Sequence, residues 1–469
     1  NRYMANVDDE TVWQELADPE VAEAHRAHGR HLCKKKAVGI SALVGVAVVL
    51  VIFYSSTPGT RVPRQPSQLA GVFTVDGLND ILGTMKIIDA EDAFKTLLEP
   101  QLEALFTDFL SNTGSSAPKR DGTFQRDAGP RKQLDTPEEH TYRFKVFSEN
   151  LLEILRRNAN TQRSNPEPFR AVFGITQFAD WTLEEFKLMR SMSGTNTTEL
   201  EAHLAKHKAA TRHLSPQGLS DGRRKGEAQA LPDCATYYPV RNQKGCGDCW
   251  AFATAEVIRM RVWKENNKGI GPLSVQQLVD CDPDEIGKHC SDGVNGCCGG
   301  VPWMAINWLH ESGGIATVEA YGPLVSDDHP FYNERCNNVP KAVLPGKALF
   351  PSTETVMAQW LCEYGAISIS IDASPLNSYS SGVLGPSACP NRVDHAVLLI
   401  GIDTQTWEYS DGTKVPVWIV QNSWGTSWGV QPGAPYKSVA GKSGFFLLQW
   451  GQNTCKIMTQ ATIPYSAEF

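Results

Sequence analysis

NQKGCGDCWAF, residues 242–252, sets two cysteines, Cys246 and Cys249, three positions apart with Trp250 directly behind the second. That spacing serves three chemistries: thiol–disulfide exchange, half of a zinc site, or a cysteine nucleophile beside a structural cysteine. Redox motifs of this spacing put the tryptophan before the first cysteine and sit at a strand end, whereas WAFATAEVIRMRVW, residues 250–263, runs on as an apolar helix. A zinc half-site needs a second ligand pair, and the nearest, Cys297 with Cys298, is adjacent and poorly shaped to clamp one ion. The nucleophile reading is the strongest of the three, and no metal or cofactor is expected.

Two later words support it. VDHAVLLIG carries His395, and QNSWGTSWG carries Asn422. With Gln243, Cys246, Gly247, Cys249 and Trp250, they make residues 231–469 resemble the catalytic domain of papain-like cysteine proteases of the cathepsin L-like subfamily. The resemblance implies an α+β papain-like two-lobe fold: a helical lobe, a β-barrel-like lobe, and a cleft between them. Cys249 would stand at a helix N-terminus, where the helix dipole favours a thiolate. His395 would face it from a strand of the other lobe, Asn422 would hold the ring, and Trp424 would shield that bond. Gln243 would donate to the developing oxyanion.

The resemblance also implies how substrate is bound. Gly299 and Gly300 would offer a backbone edge to an extended peptide, Asp394 would contact it, and Gln460 would floor the S2 pocket and widen tolerance toward polar or basic side chains. Asp248 replaces the usual serine and is expected to face solvent. Three bridges follow the family: Cys246–Cys297, Cys281–Cys336 and Cys389–Cys455. Cys290–Cys298 and Cys234–Cys362 are one choice among the three pairings of the remaining four, leaving Cys249 free. Other readings of the same scaffold are a cathepsin B-like exopeptidase, disfavoured by the lack of a His-His occluding-loop signature, and an inactive binding protein.

Upstream, Thr136 and Pro137 form a helix start before EEHTYRFKVFSENLLEILRRNA. Glu139, Arg143, Phe147, Asn150, Ile154 and Asn158 recur at steps of three and four on one face of that helix. The pattern resembles the ERFNIN set of cathepsin L-like propeptides, and Gly174, Thr176, Phe178 and Asp180 resemble the family's second propeptide element. Residues 136–190 are therefore expected to form a helical inhibitory prodomain that docks on the second lobe and runs through the cleft. Acid is expected to loosen its carboxylate contacts. Residues 191–230 are polar, with Arg223, Arg224 and Lys225, and read as an exposed maturation linker before a catalytic domain at 231–469.

The chain has 469 residues, a net charge of −8, and 41% apolar residues. A sizeable core is allowed, and nothing in that charge suggests nucleic acid. Residues 37–54 are an uncharged apolar run behind Lys34, Lys35 and Lys36, which reads as a single-pass type II span. That places a cytosolic tail at 1–36, a lumenal tether with an amphipathic helix interrupted near Pro100 at 55–135, and the catalytic body in the lumen of a lysosome- or vacuole-like acidic compartment. Of 12 cysteines only Cys33 precedes the apolar run, the odd number behind it fits one free thiol, and Asn196 heads a glycosylation sequon. Expected partners are protein and peptide substrates, the chain's own propeptide and cystatin-type inhibitors, with a monomeric mature form.

Overall fold

The computed structural model describes residues 74–84, 97, 99–118, 130–164, 171–190, 197–211, 234–235, 239–267, 269–282, 299–324, 335–389, 392–404, 407–408, 412, 414, 416–430 and 444–468. Residues 37–54, Cys33, Asn196, the basic cluster at 223–225, Cys290, Cys297 and Cys298 lie outside them. The expected localisation, a membrane-spanning zymogen in a lysosome- or vacuole-like lumen, is corrected: no helix among the described residues is long and apolar enough to cross a membrane.

Among the described residues the N-terminal body opens with α1 (Val75–Thr84), α2 (Glu99–Asn112) and α3 (Pro137–Ser164). Pro100 stands in the first turn of α2, where its missing N–H has no intrahelical acceptor to lose, so the expected interruption is a helix start. Leu105, Phe106 and Phe109 of α2 are fully buried, and Phe106 packs on Phe144 and Phe147 of α3 at centroid distances of 5.7 and 5.2 Å. The Thr136 hydroxyl caps α3 by accepting from the Glu139 amide at 3.1 Å. The amphipathic helix expected within the tether thus packs its apolar face on α3.

A two-residue strand, β1 (Val172–Phe173), a short helix, α4 (Leu183–Leu188), and a longer one, α5 (Thr197–Thr211), follow. Thr182 and Glu185 close a reciprocal capping box on α4. The α5 helix falls inside the stretch expected to be exposed linker. It docks instead: Leu204 is buried, the His207 ring lies 4.9 Å from that of Trp303, and Lys208 Nζ donates to the Thr459 carbonyl at 3.2 Å.

The C-terminal body contains β2 (Cys234–Ala235), α6 (Cys249–Asn266), α7 (Val275–Cys281), α8 (Pro302–Ser312), α9 (Glu354–Tyr364), β3 (Ile367–Ile371), β4 (Tyr379–Ser381), β5 (Val383–Leu384), β6 (His395–Asp403), β7 (Val417–Gln421) and β8 (Phe445–Gln449). The main sheet runs β2–β6–β7–β8–β5, with β3 also paired to β6. All of its pairs are antiparallel except β8 with β5. Every residue of β6 is buried. Helix α6 is buried on all sides over its first fourteen residues, packed on α7 and α8 and across β6, so it joins the helical and the β lobe. Burial on all sides forces its charges into pairs: Glu256 bonds Arg241 at 3.2 Å and lies 3.5 Å from Arg259. Disulfides Cys281–Cys336 and Cys389–Cys455 are formed as expected, and Cys246 and Cys362 are each in a disulfide. Cys249 is the free cysteine among the described residues.

Candidate active site

Sheet register brings the imidazole and the amide together. Asp394 and His395 enter β6 beside β3, with Ile371 opposite His395, while Leu398 stands opposite Gln421 on β7. The start of β6 and the end of β7 are therefore neighbours, and His395 Nε2 lies 2.8 Å from Asn422 Oδ1. Because Oδ1 only accepts, Nε2 carries the proton and Nδ1 keeps its lone pair. His395 Nδ1 has no hydrogen-bond partner. The Trp424 ring stacks on the imidazole at 4.8 Å and 28°.

Cys249 is the first residue of α6 and is fully buried. Its sulfur accepts from the amide of Ala396, the residue after His395, at 3.5 Å. Burial drives the thiol up to about 12, with the Asp248 and Asp394 charges adding in the same direction. Burial likewise pulls His395 down to about 3, the Asn422 bond opposing and the Arg190 charge reinforcing it. In this closed state both groups are neutral. Asp248 does not face solvent: it is fully buried as the N-cap of α6, because the chain turns inward there to seat Cys249.

Gln243 is held rigidly by its oxygen. Oε1 accepts from Ser423 Oγ at 2.5 Å and Trp424 Nε1 at 3.1 Å, which orients Nε2 toward Cys249's loop. Nε2 donates to the Cys246 carbonyl at 2.8 Å and, at 2.9 Å, to the carbonyl of Met189. Met189 belongs to the N-terminal body. Its neighbour Arg190 donates Nη1 to Asp394 Oδ2 at 2.8 Å. Met189 and Arg190 carried no motif and were missed in the sequence, and Ser423 and Ala396, inside the words around Asn422 and His395, were given no role there; only the folded chain brings the four to the site. Gly299, at φ 111°, and Gly300, where a Cβ would sit 2.5 Å from the Trp250 ring, line up behind Cys249's helix for reasons only glycine satisfies. Gln460 is buried, its Oε1 accepting from Ser370 Oγ at 3.3 Å.

The stripe on α3 explains how the N-terminal body reaches this cleft. Arg143 is fully buried, gripping both Glu185 oxygens at 2.8 Å and the carbonyls of Asp180 and Pro118. Asn150 donates to the carbonyls of Ala179 and Trp181, and Asn158 bonds both the amide and the carbonyl of Phe173. Glu139 pairs with Arg131 at 2.7 Å, while Phe147 and Ile154 fill the core. The polar half of the stripe thus fixes the backbone of 173–185. That segment then docks: β1 pairs antiparallel with β4, the Gly174 amide donates to Ser378, Thr176 Oγ1 bonds the Asn377 carbonyl, and Phe178 meets Trp424 edge-on at 5.0 Å. Asp180 stays buried behind Phe178.

A thiol at a helix N-terminus, an imidazole–amide pair and an anchored amide donor, covered by an earlier segment of the same chain, define a cysteine hydrolase precursor. The chain belongs to the papain family: residues 227–465 match "Papain family cysteine protease" and residues 131–186 match "Cathepsin propeptide inhibitor domain (I29)". Cysteine proteinase B of Leishmania mexicana is 34% identical over 66% of this chain and 62% of its own length. Cysteine proteinase 15A of Pisum sativum is 30% identical over 72% of this chain and 84% of its own. The structure of digestive procathepsin L2 proteinase from Tenebrio molitor larval midgut shares the fold, with a TM-score of 0.52 at 24% identity over 71% of this chain and 95% of that one.

Proposed function

We propose that the chain is the zymogen of a cysteine endopeptidase in which Cys249 is the nucleophile, His395 the proton carrier, Asn422 its positioning partner and Gln243 an oxyanion donor. The observation that carries this reading is the Met189 carbonyl on Gln243 Nε2 at 2.9 Å, beside the buried thiol: the prodomain presents a peptide carbonyl where a substrate's would lie. Departure of the prodomain admits water, which weakens the burial that holds the thiol up and the imidazole down, and removes the Arg190 charge that also lowers the imidazole. The thiol proton then passes to His395 Nδ1, the one ring nitrogen left without a bond.

Sγ attacks the scissile carbonyl, and the oxyanion accepts from Gln243 Nε2 and the Cys249 amide. As the C–N bond breaks, His395 returns its proton to the leaving amine, giving a thioester that water, deprotonated by the same nitrogen, hydrolyses. Gly299 and Gly300 offer a backbone edge to an extended peptide, and Gln460 gives the S2 floor an amide that accepts polar or basic side chains. Substrates are proteins and peptides, the mature form acts as a monomer, and cystatin-type inhibitors fit the same cleft. The processed enzyme should hydrolyse unblocked internal bonds of a denatured protein, and Cys249→Ala should abolish this. A processed wild-type enzyme without peptidase activity would contradict the reading.

A further inference from the structure

We propose that the cavity between α6 and the β6–β7 pair is an internal water site belonging to the catalytic machinery, and that Gln421 is a positioning residue acting through that water on Asn422. This rests on the protease reading above. The cavity holds about 20 Å³, room for about one water molecule. Phe252 and Glu256, one turn apart on α6, form one wall, while Ala396 of β6, Gln421 at the end of β7 and Asn422 form the other. Among the described residues its lining comes from the catalytic body alone, so the site outlasts removal of the prodomain.

Three polar atoms of the lining side chains are buried without a hydrogen-bond partner: Asn422 Nδ2, Gln421 Oε1 and Glu256 Oε2. One donor and two acceptors match a single water, which accepts from Nδ2 and gives one proton to each oxygen. Left unbonded, each atom would carry the cost of a buried polar group. The rest of the cluster is already committed. Glu256 Oε1 accepts from Arg241 Nη1 at 3.2 Å, Glu256 Oε2 lies 3.5 Å from Arg259 Nη1, and Arg241 also donates to the Leu273 carbonyl at 3.3 Å. An ion fits less well than water, since a cation would adjoin the Arg241 guanidinium and an anion would face the Glu256 carboxylate.

The water bears on catalysis through the face that Asn422 shows the imidazole. A side-chain amide is nearly symmetric in shape, but only its oxygen accepts a hydrogen bond. Asn422 Oδ1 accepts from His395 Nε2 and from the Ser423 amide, each at 2.8 Å. A reversed amide would set Nδ2 against those two donors and turn Oδ1 toward the Gln421 and Glu256 oxygens. A water oriented by Gln421 and Glu256 gives Nδ2 an acceptor only in the productive orientation, and so steadies the ring that takes the thiol proton.

The test uses full-length chain processed to the mature enzyme. A crystal structure that resolves ordered waters should show one within hydrogen-bond distance of all three atoms. Gln421→Leu, close in size and lacking the oxygen, should lower kcat and kcat/KM together by about five- to tenfold per active site titrated with an epoxide, with KM within about twofold of wild type. With nitrogen-labelled histidine, the His395 Nε2 proton should exchange with solvent faster in the variant than in wild type. A side chain that only filled space would move neither readout. Wild-type enzyme without that water, or Gln421→Leu equal to wild type in kcat and in proton exchange, overturns the inference and leaves the protease reading intact; if the variant does not fold, the wild-type water decides alone. Wild-type enzyme that cleaves no peptide overturns both.

Discussion

Burial, more than any neighbouring charge, sets the protonation of Cys249 and His395 in the closed chain. Gln243 is the better residue on which to measure the chemistry, because Ser423 and Trp424 hold its amide before any substrate arrives. Gln243→Ala should lower kcat of the processed enzyme by about 10²–10³-fold with a smaller change in KM; an equal loss in KM alone would show ground-state binding instead. Asp180 contributes a pH dependence of its own, with a sign opposite to the acid loosening expected of carboxylate contacts. Burial pushes its carboxyl up to about 6, with Ser115, Arg143 and Arg131 opposing. A folded value above the unfolded one of about 4 means a stabilising contribution present below about pH 4 and lost as pH rises through about 6. The melting-temperature advantage of wild-type zymogen over Asp180→Asn should therefore shrink from pH 4 to pH 7; an advantage that grows over that range would refute it. Cys249, His395, Asn422 and Gln243, the residues proposed to do the chemistry, could be picked out because each sits in a short word of its own, and the fold brings them together. Met189, Arg190 and the inward turn of Asp248 could not, since each depends on what the fold lays against it.

The six-residue stripe of α3 was readable from helical spacing, and the structure supplies its physical reason. Arg143, Asn150 and Asn158 point at backbone groups of 173–185, which need partners because that segment has little regular structure of its own. An ordinary amphipathic helix would have put apolar residues there and left those groups unbonded. Arg143→Met should cost the zymogen about 3–5 kcal/mol by stranding Glu185 and two carbonyls, seen as a lower urea midpoint together with premature peptidase activity. An unchanged midpoint would mean that the buried grip is dispensable. Helix α1 was invisible as a functional element. Its Asn79 bonds both the amide and the carbonyl of Ile175, at 2.7 and 3.0 Å, bracing the segment from outside the stretch matched to the propeptide domain. Helix α5 was not foreseen within the expected linker, because its composition is polar and its contacts with the catalytic body are few.

At the level of the whole molecule, the two-lobe body and its upstream inhibitor were both expected and both present, and the joint between them was the part that sequence did not show. It consists of a strand added at β4, an aromatic cluster in which Phe178 and Phe186 meet Trp424, and a plug of two residues on Gln243 and Asp394. Trp424 serves both functions, covering His395 on one side and receiving the prodomain on the other. Latency then follows from exclusion of water and reagent from a thiol that burial also keeps neutral. The measurement that bears most directly on this is labelling of Cys249 by an epoxide directed at cysteine proteases, followed by peptide mass spectrometry before and after removal of the prodomain. The account predicts no label on intact zymogen and stoichiometric label on Cys249 in the processed enzyme; equal labelling of the two forms, or none on Cys249 after processing, would contradict it.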